Sequence, residues 1–98
     1  MSALEALYRD LSALDAAIAH DDLATAADLL DTYGQRLRDT VTSAGAALPA
    51  PALRALLDAQ LALTARLGAR RDTAAAQLRQ AHRANAASRV YAGLEQAS

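Results

Sequence analysis

The 98-residue chain contains no cysteine and no lysine, and its only aromatic residues are three tyrosines. The lack of cysteine excludes a disulfide framework, a thiolate nucleophile and a zinc–thiolate site. The formal net charge of -1 at pH 7 gives the chain no overall attraction to nucleic acid or to an anionic membrane. No run of about 18 apolar residues is present to span a bilayer, and the start lacks a basic segment followed by an apolar one. We therefore expect a cytoplasmic protein that neither inserts into a membrane nor binds nucleic acid.

Alanine and leucine dominate what is present, with 28 and 17 residues. Both are strong helix formers, as are arginine and glutamine, whereas the strand-favouring valine and isoleucine number only two and one. The composition therefore predicts an all-α fold. The length suits a single domain over residues 1–98 and leaves little room for a catalytic cleft in addition to a core.

Apolar residues spaced three and four apart predict two amphipathic helices in the first half of the chain. The first, over about residues 3–20, begins after Ser2, whose hydroxyl can cap it, and ends at His20. Asp21 or Asp22 can cap the second, over about residues 22–43. No glycine or proline enforces this break, so one continuous helix is the alternative. The two predicted core stripes are Leu4, Leu7, Leu11, Leu14 and Ile18, and then Leu23, Ala26, Ala27, Leu30, Tyr33, Leu37 and Val41.

Gly45, Pro49 and Pro51 mark a loop over residues 44–50, and a third helix is expected over about residues 51–92. Such a helix would be roughly 60 Å long, whereas the first two would reach only about 27 to 33 Å. Gly68 is the most favourable point for a bend in it. We predict an antiparallel three-helix bundle with a long third helix that projects beyond the other two.

Charge is distributed unevenly along the chain. Residues 1–22 carry one arginine and five acidic residues, whereas residues 49–98 carry seven arginines and three acidic residues. At 100° per residue the arginines between Arg66 and Arg89 surround the third helix, so they form no stripe that could follow a phosphate backbone. Arg71 lies nearest the apolar side of the third helix, and Asp15 or Asp21 is its candidate ion-pair partner.

No group of residues indicates catalysis or metal binding. His20 and His82 each lack a second ligand at helical spacing, and the early carboxylates only flank an apolar stripe, as on any amphipathic helix. Neither a nucleophile elbow nor a phosphate-binding glycine loop is present. We expect no enzymatic activity, no cofactor and no metal.

Some large apolar residues fall outside the tightest core stripes. Leu29 and Leu61 lie off the stripes, with Tyr33 and Leu57 at their edges. Scattered exposed leucines are normal in soluble proteins, but these residues can also form an apolar groove or a self-association surface. The core is thin, with about sixteen large side chains, which favours a groove that gains stability from a partner. We predict that Leu29, Tyr33, Leu57 and Leu61 line this groove.

Two segments resemble a known family of helical proteins. The junction Ile18-Ala-His-Asp-Asp-Leu-Ala-Thr, followed by Leu29-Leu30 and Leu37, is similar to the junction between the first two helices of flagellar export chaperones of the FliT type. The segment Arg70-Arg71-Asp72-Thr-Ala-Ala-Ala-Gln-Leu78-Arg-Gln, with Arg89-Val-Tyr91-Ala-Gly93, resembles that family's arginine-rich third helix and C-terminal tyrosine. The FlgN-type chaperones are the close alternative.

The resemblance implies a cytosolic chaperone of type III flagellar export. Such a protein holds the amphipathic C-terminal helix of a late flagellar subunit, for the FliT type the filament cap protein, prevents premature assembly and delivers it to the export gate. Tyr91 matches the tyrosine through which the family docks on the export gate protein. Few residues follow Tyr91, so covering of the client site by a further helix is not expected. The alternative function is a non-enzymatic homodimer or coiled-coil adaptor that has no client.

Overall fold

The structure, a computed structural model, describes residues 2–97, with side chains as far as Glu95. Met1 and Ser98, the two ends of the predicted domain, lie outside the described residues. The described part consists of three α-helices and a short 3₁₀ turn, with no strand, which confirms the all-α prediction. The helices are α1 (Ala3–Ala19), α2 (Leu23–Ala44) and α3 (Ala50–Ala97), and the turn is Gly45–Ala47.

The junction between α1 and α2 is a true break. Asp21 adopts a φ of 57°, a left-handed conformation that aspartate tolerates better than most residues and that ends the first helix. Asp22 then caps α2, since its Oδ1 accepts a hydrogen bond from the backbone N–H of Thr25 at 3.3 Å. At the other end of α1, Ser2 Oγ accepts from the Glu5 N–H at 3.2 Å. Both predicted caps are present, and the alternative of one continuous helix is wrong.

The loop and the third helix differ from the prediction at their ends. Gly45, with a φ of 52°, ends α2 in a conformation that glycine adopts without steric cost. Pro51 lies in the first turn of α3, where its missing N–H is not needed. The helix continues without interruption through Gly68 and reaches Ala97 rather than residue 92, because strong helix formers follow Gly93.

The core consists of two clusters that lie between the helices. One joins the end of α1, the start of α2 and the middle of α3, and its buried members are Leu14, Ala17, Ile18, Ala26 and Leu67. The other joins the start of α1, the middle of α2 and the start of α3, and its buried members are Leu7, Tyr33, Leu37 and Leu56. The predicted stripe of α1 lies in these clusters or against them, as expected from its three-and-four spacing.

Ion pairs connect α1 and the junction that follows it to the other two helices. Arg36 Nη1 of α2 donates to Asp10 Oδ1 at 2.7 Å, Arg66 of α3 pairs with Asp15, and Arg70 Nη1 of α3 donates to Asp21 Oδ1 at 2.5 Å. The sequence correctly singles out Asp15 and Asp21, but it assigns them the wrong arginine. Arg71 is exposed, because one step along the helix turns it about 100° from Arg70.

The third helix extends far beyond the bundle. The molecule measures 77 × 20 × 18 Å, and α3, with 48 residues, accounts for about 72 Å of that length. Every described side chain from Arg71 to Glu95 is exposed. We call residues 71–95 the projecting segment. The predicted long third helix is confirmed.

Candidate binding groove

A groove runs along the surface between the second half of α2 and the first half of α3. Its volume is about 410 Å³, and we call it the α2–α3 groove. The residues that line it are Gly34, Leu37, Arg38, Val41, Thr42, Leu53, Leu57 and Gln60. It continues into a second depression along α3, which Leu61 helps to line. The two together form an apolar trough with polar edges, which is the shape that an amphipathic helix requires.

The floor of the groove depends on a glycine. A Cβ atom at Gly34 would lie 3.3 Å from Nε2 of Gln60 and 3.7 Å from an Arg38 guanidinium nitrogen. Because Gly34 has no side chain, the amide of Gln60 can lie directly against α2. The nearest neighbour of Gly34 is therefore a side chain of α3.

Two of the four predicted groove residues form its apolar wall. Leu57 is 45% exposed and Leu61 is 70% exposed, whereas the other leucines of α3 within the bundle are buried or half-buried: Leu53, Leu56, Leu63 and Leu67. Val41, predicted as a core residue, is instead 38% exposed and lies on the opposite wall. Fully burying a leucine is worth about 1.5–3 kcal/mol, so a helix that covers both leucines would gain substantial free energy.

Tyr33 is a core residue, which corrects the prediction that it lines the groove. Its side chain is completely buried, and its hydroxyl donates a hydrogen bond to the backbone carbonyl of Leu56 at 2.6 Å. Burial raises the pKa of Tyr33 above the ordinary tyrosine value, and Coulombic repulsion from the neighbouring Tyr8 and Asp10 side chains raises this pKa further. Tyr33 therefore attaches α2 to α3 beneath the groove, and the hydroxyl finds the partner that a buried tyrosine needs.

Leu29 does not line the groove either. It is half-buried and packs against the core cluster that contains Leu14 and Leu67. Its position on α2 lies about 100° from Leu30, on the side that meets α1 rather than on the side that meets the open edge of α3. The sequence places Leu29 outside the tightest stripe, but it could not show which neighbouring helix covers that flank.

A second apolar surface lies on the projecting segment. Four large side chains there are between 59% and 70% exposed: Leu78, Val90, Tyr91 and Leu94. Tyr91, the predicted gate-binding residue, is about 45 Å along the axis of α3 from Leu61. It is therefore physically separate from the α2–α3 groove, and one partner could contact Tyr91 while another fills the groove.

Asp10 is a buried carboxylate that the sequence pattern does not single out. Asp10 is 8% exposed, and while its Oδ1 accepts from Arg36, its Oδ2 has no hydrogen-bond partner. In the sequence, Asp10 lies one helical turn before the core residue Leu14, and this position indicates only an acidic residue beside the apolar stripe. Because a buried carboxylate needs a partner, the pair fixes how α1 and α2 pack.

Potential metal ligands do not cluster in the part of the chain that the structure describes. No group of three or more His, Asp and Glu residues there could hold a metal ion, and both His20 and His82 are exposed on the surface. No described helix is long and apolar enough to cross a membrane.

In comparisons with known proteins, no family model matches the chain, and no curated protein or solved structure matches it.

Proposed function

We propose that this chain is a non-enzymatic, cytosolic chaperone that holds an amphipathic helix of a client protein in the α2–α3 groove. The observation that carries the proposal is the exposed apolar wall formed by Leu57 and Leu61 beside the open groove. A small helical protein gains nothing in its own stability from leucines that remain in water. A helix with apolar residues on one face would remove both from water and leave its polar face outside.

The resemblance to flagellar export chaperones of the FliT type supplies the identity of the client. On this proposal the client is the C-terminal helix of a late flagellar subunit, the filament cap protein, which the chaperone keeps unassembled. Arg38 stands at one edge of the groove and Arg54 and Asp58 at the other. These exposed charges would set the orientation of a client helix through pairing with its polar face.

Delivery to the export gate would use a separate surface. We assign this role to Tyr91, which the resemblance points to and which is 70% exposed on the projecting segment. Exposed tyrosines are common anchors in protein interfaces, because the ring buries apolar area while the hydroxyl makes a hydrogen bond. The separation of Tyr91 from the groove supports a chaperone that binds the gate while it still holds its client.

Calorimetric titration with a peptide of the filament cap protein's C-terminal helix tests this function. Binding should show a negative heat-capacity change, because apolar surface is buried. Leu61→Asp should weaken binding by about 5- to 30-fold, since most of a leucine's burial energy is lost. The matched control is Ala16→Asp, which adds the same charge at an exposed position on the outer side of α1.

Tyr91→Ala separates the two surfaces. It should leave the affinity for the peptide unchanged and reduce binding to the export gate protein. Unchanged peptide affinity in Leu61→Asp would remove the groove from the proposal. A loss of peptide binding in Tyr91→Ala would place this tyrosine in the client site instead of at the gate.

A further inference from the structure

The chain exposes more surface than a compact protein of its size. Its accessible area is 6846 Å², whereas a compact monomer of 10.2 kDa exposes about 5,300 Å². Its radius of gyration is 21.2 Å, against about 13 Å for a compact domain of this length. The excess of about 1,500 Å² exceeds the roughly 800 Å² that each partner buries in a standard protein interface.

The lengths of the projecting segment and of the groove match. Residues 71–95 form about 37 Å of helix, while α2 is about 33 Å long and the part of α3 inside the bundle about 31 Å. A projecting segment can therefore cover the whole length of a bundle. It cannot reach the groove of its own chain, because α3 is continuous.

We propose that two copies of this chain associate by exchanging their projecting segments. Each segment lies in the α2–α3 groove of the other copy, with the two α3 helices antiparallel and crossing near residue 72. Each end of the dimer is then a four-helix bundle made of three helices from one copy and one from the other. This inference rests on the groove and does not require the client of the proposed function.

Charge complementarity supports the exchange. Residues 2–70 carry six arginines and nine acidic residues, a formal charge of -3, whereas residues 71–95 carry four arginines and two acidic residues, a charge of +2. The two helices that form the groove expose Asp31 and Asp58 but also Arg38 and Arg54. The attraction therefore comes from the overall charge of the bundle and from these two aspartates, which can pair with Arg79 and Arg83 of the projecting segment. Antiparallel exchange places the positive segment of each copy against the negative bundle of the other, whereas pairing of the two segments would oppose like charges.

Two large apolar residues of the segment border the side that the exchange requires. At 100° per residue, Leu78 and Val90 lie about 60° to either side of the direction of Leu57 around the axis of α3. The residues between them on this side include Ala75, Arg79, His82, Ala86 and Arg89. A twofold pairing of antiparallel α3 helices brings the same side of both helices into contact. With the crossing near residue 72, Val90 of one copy would lie within about one turn of Leu57 of the other, and Leu78 within about one and a half turns of Leu61. Ala87 and Arg83 would be level with these two leucines along the axis.

Sedimentation velocity of the full chain between about 1 and 500 μM provides the first test, with circular dichroism to verify folding. The wild type should become a dimer as its concentration rises. A groove variant, Leu57→Asp with Leu61→Asp, and a segment variant, Leu78→Asp with Val90→Asp, should each dimerise at least tenfold more weakly. The matched control Ala84→Asp adds charge on the opposite side of the projecting segment and should dimerise like the wild type.

Mixing the two double variants is the decisive step. The groove variant retains an intact segment and the segment variant an intact groove, so an equimolar mixture should form a heterodimer although neither partner dimerises alone. A wild type that stays monomeric throughout, or a mixture that stays monomeric, overturns the exchange. So does a groove variant that dimerises normally, because the segments would then pair with each other.

Distances between spin labels give an independent measurement. The chain has no cysteine, so Thr73→Cys and Ala84→Cys each introduce one labelling site per copy. In the exchanged dimer the labels at residue 73 should lie within about 20 Å of each other, and those at residue 84 about 36 Å or more apart. The reverse order would mean that the segments cross near residue 84 and would refute the exchange.

A dimer that binds no client peptide would refute the proposed function alone, and a monomer that binds the peptide would refute only the exchange.

Discussion

The hydrogen bond between Tyr33 and α3 offers the sharpest test of the packing beneath the groove. Tyr33→Phe removes only the hydroxyl, which donates to the Leu56 carbonyl at 2.6 Å, and leaves the buried ring in place. The acceptor lies inside α3, so it keeps the hydrogen bonding of a helical carbonyl, and the cost is that of one lost bond. We expect the free energy of unfolding to fall by about 1 kcal/mol at neutral pH.

The pH dependence of this difference identifies its cause. Because burial raises the pKa of Tyr33, the folded protein holds this proton more tightly than the unfolded chain, where tyrosine titrates near 10.0. The stabilising contribution is therefore complete below pH 10 and decreases as the pH rises from there towards the raised pKa. The difference between wild type and Tyr33→Phe should be constant from pH 7 to 9 and should shrink above pH 10.

Urea denaturation followed by circular dichroism measures both effects. The control is Tyr8→Phe, which removes the same hydroxyl from a side chain that is 51% exposed and should change stability little. Equal stability of Tyr33→Phe and wild type, or a difference that stays constant up to pH 11, would refute the buried hydrogen bond.

The remaining predictions concern two glycines and one ion pair. A Cβ at Gly68 meets nothing within 4 Å, so Gly68→Ala should raise the midpoint of urea denaturation by the equivalent of about 1 kcal/mol. Gly34→Ala should raise this midpoint less, because the Gln60 side chain must move. A larger increase for Gly34→Ala would contradict the close contact there. The exposed pair between Arg66 and Asp15 should contribute at most about 1 kcal/mol, so Asp15→Ala should barely change that midpoint, and a large loss would show that the pair is shielded from water.

The sequence predicts the helices well because their signals are local. Caps at Ser2 and Asp22, the glycine at residue 45 and the three-and-four spacing of leucines each act within one or two turns, and the structure has helix ends close to all of them. The mutual arrangement of the helices is harder to predict, because it depends on which flank of each helix meets which neighbour. Arg70 rather than Arg71 pairs with Asp21, because the flank of α3 that bears Arg70 is the one that meets the α1–α2 junction, and the pattern within α3 does not show which flank that is.

The candidate groove was predictable in part for the same reason. Leu61 lies off the apolar stripe of its helix, so its exposure is expected from angles alone, whereas Leu57 lies at the edge of that stripe. Tyr33 lies at the edge of its stripe, where the angle alone leaves burial undecided. Its burial is decided by the Leu56 carbonyl on another helix, and no pattern within α2 contains that information.

The two proposals place different helices in one groove, so each occupant must exclude the other. The projecting segment is rich in alanine, and only Leu78 and Val90 are large apolar residues on the side that would enter the groove. A client helix with leucines every three or four residues would bury more apolar surface, and each additional buried methylene is worth about 0.8 kcal/mol. A second copy would therefore cover Leu57 and Leu61 in the absence of client and would yield to the more apolar client helix. On these two proposals the exposed leucines of a chain with a thin core would be covered either by a second copy or by the client.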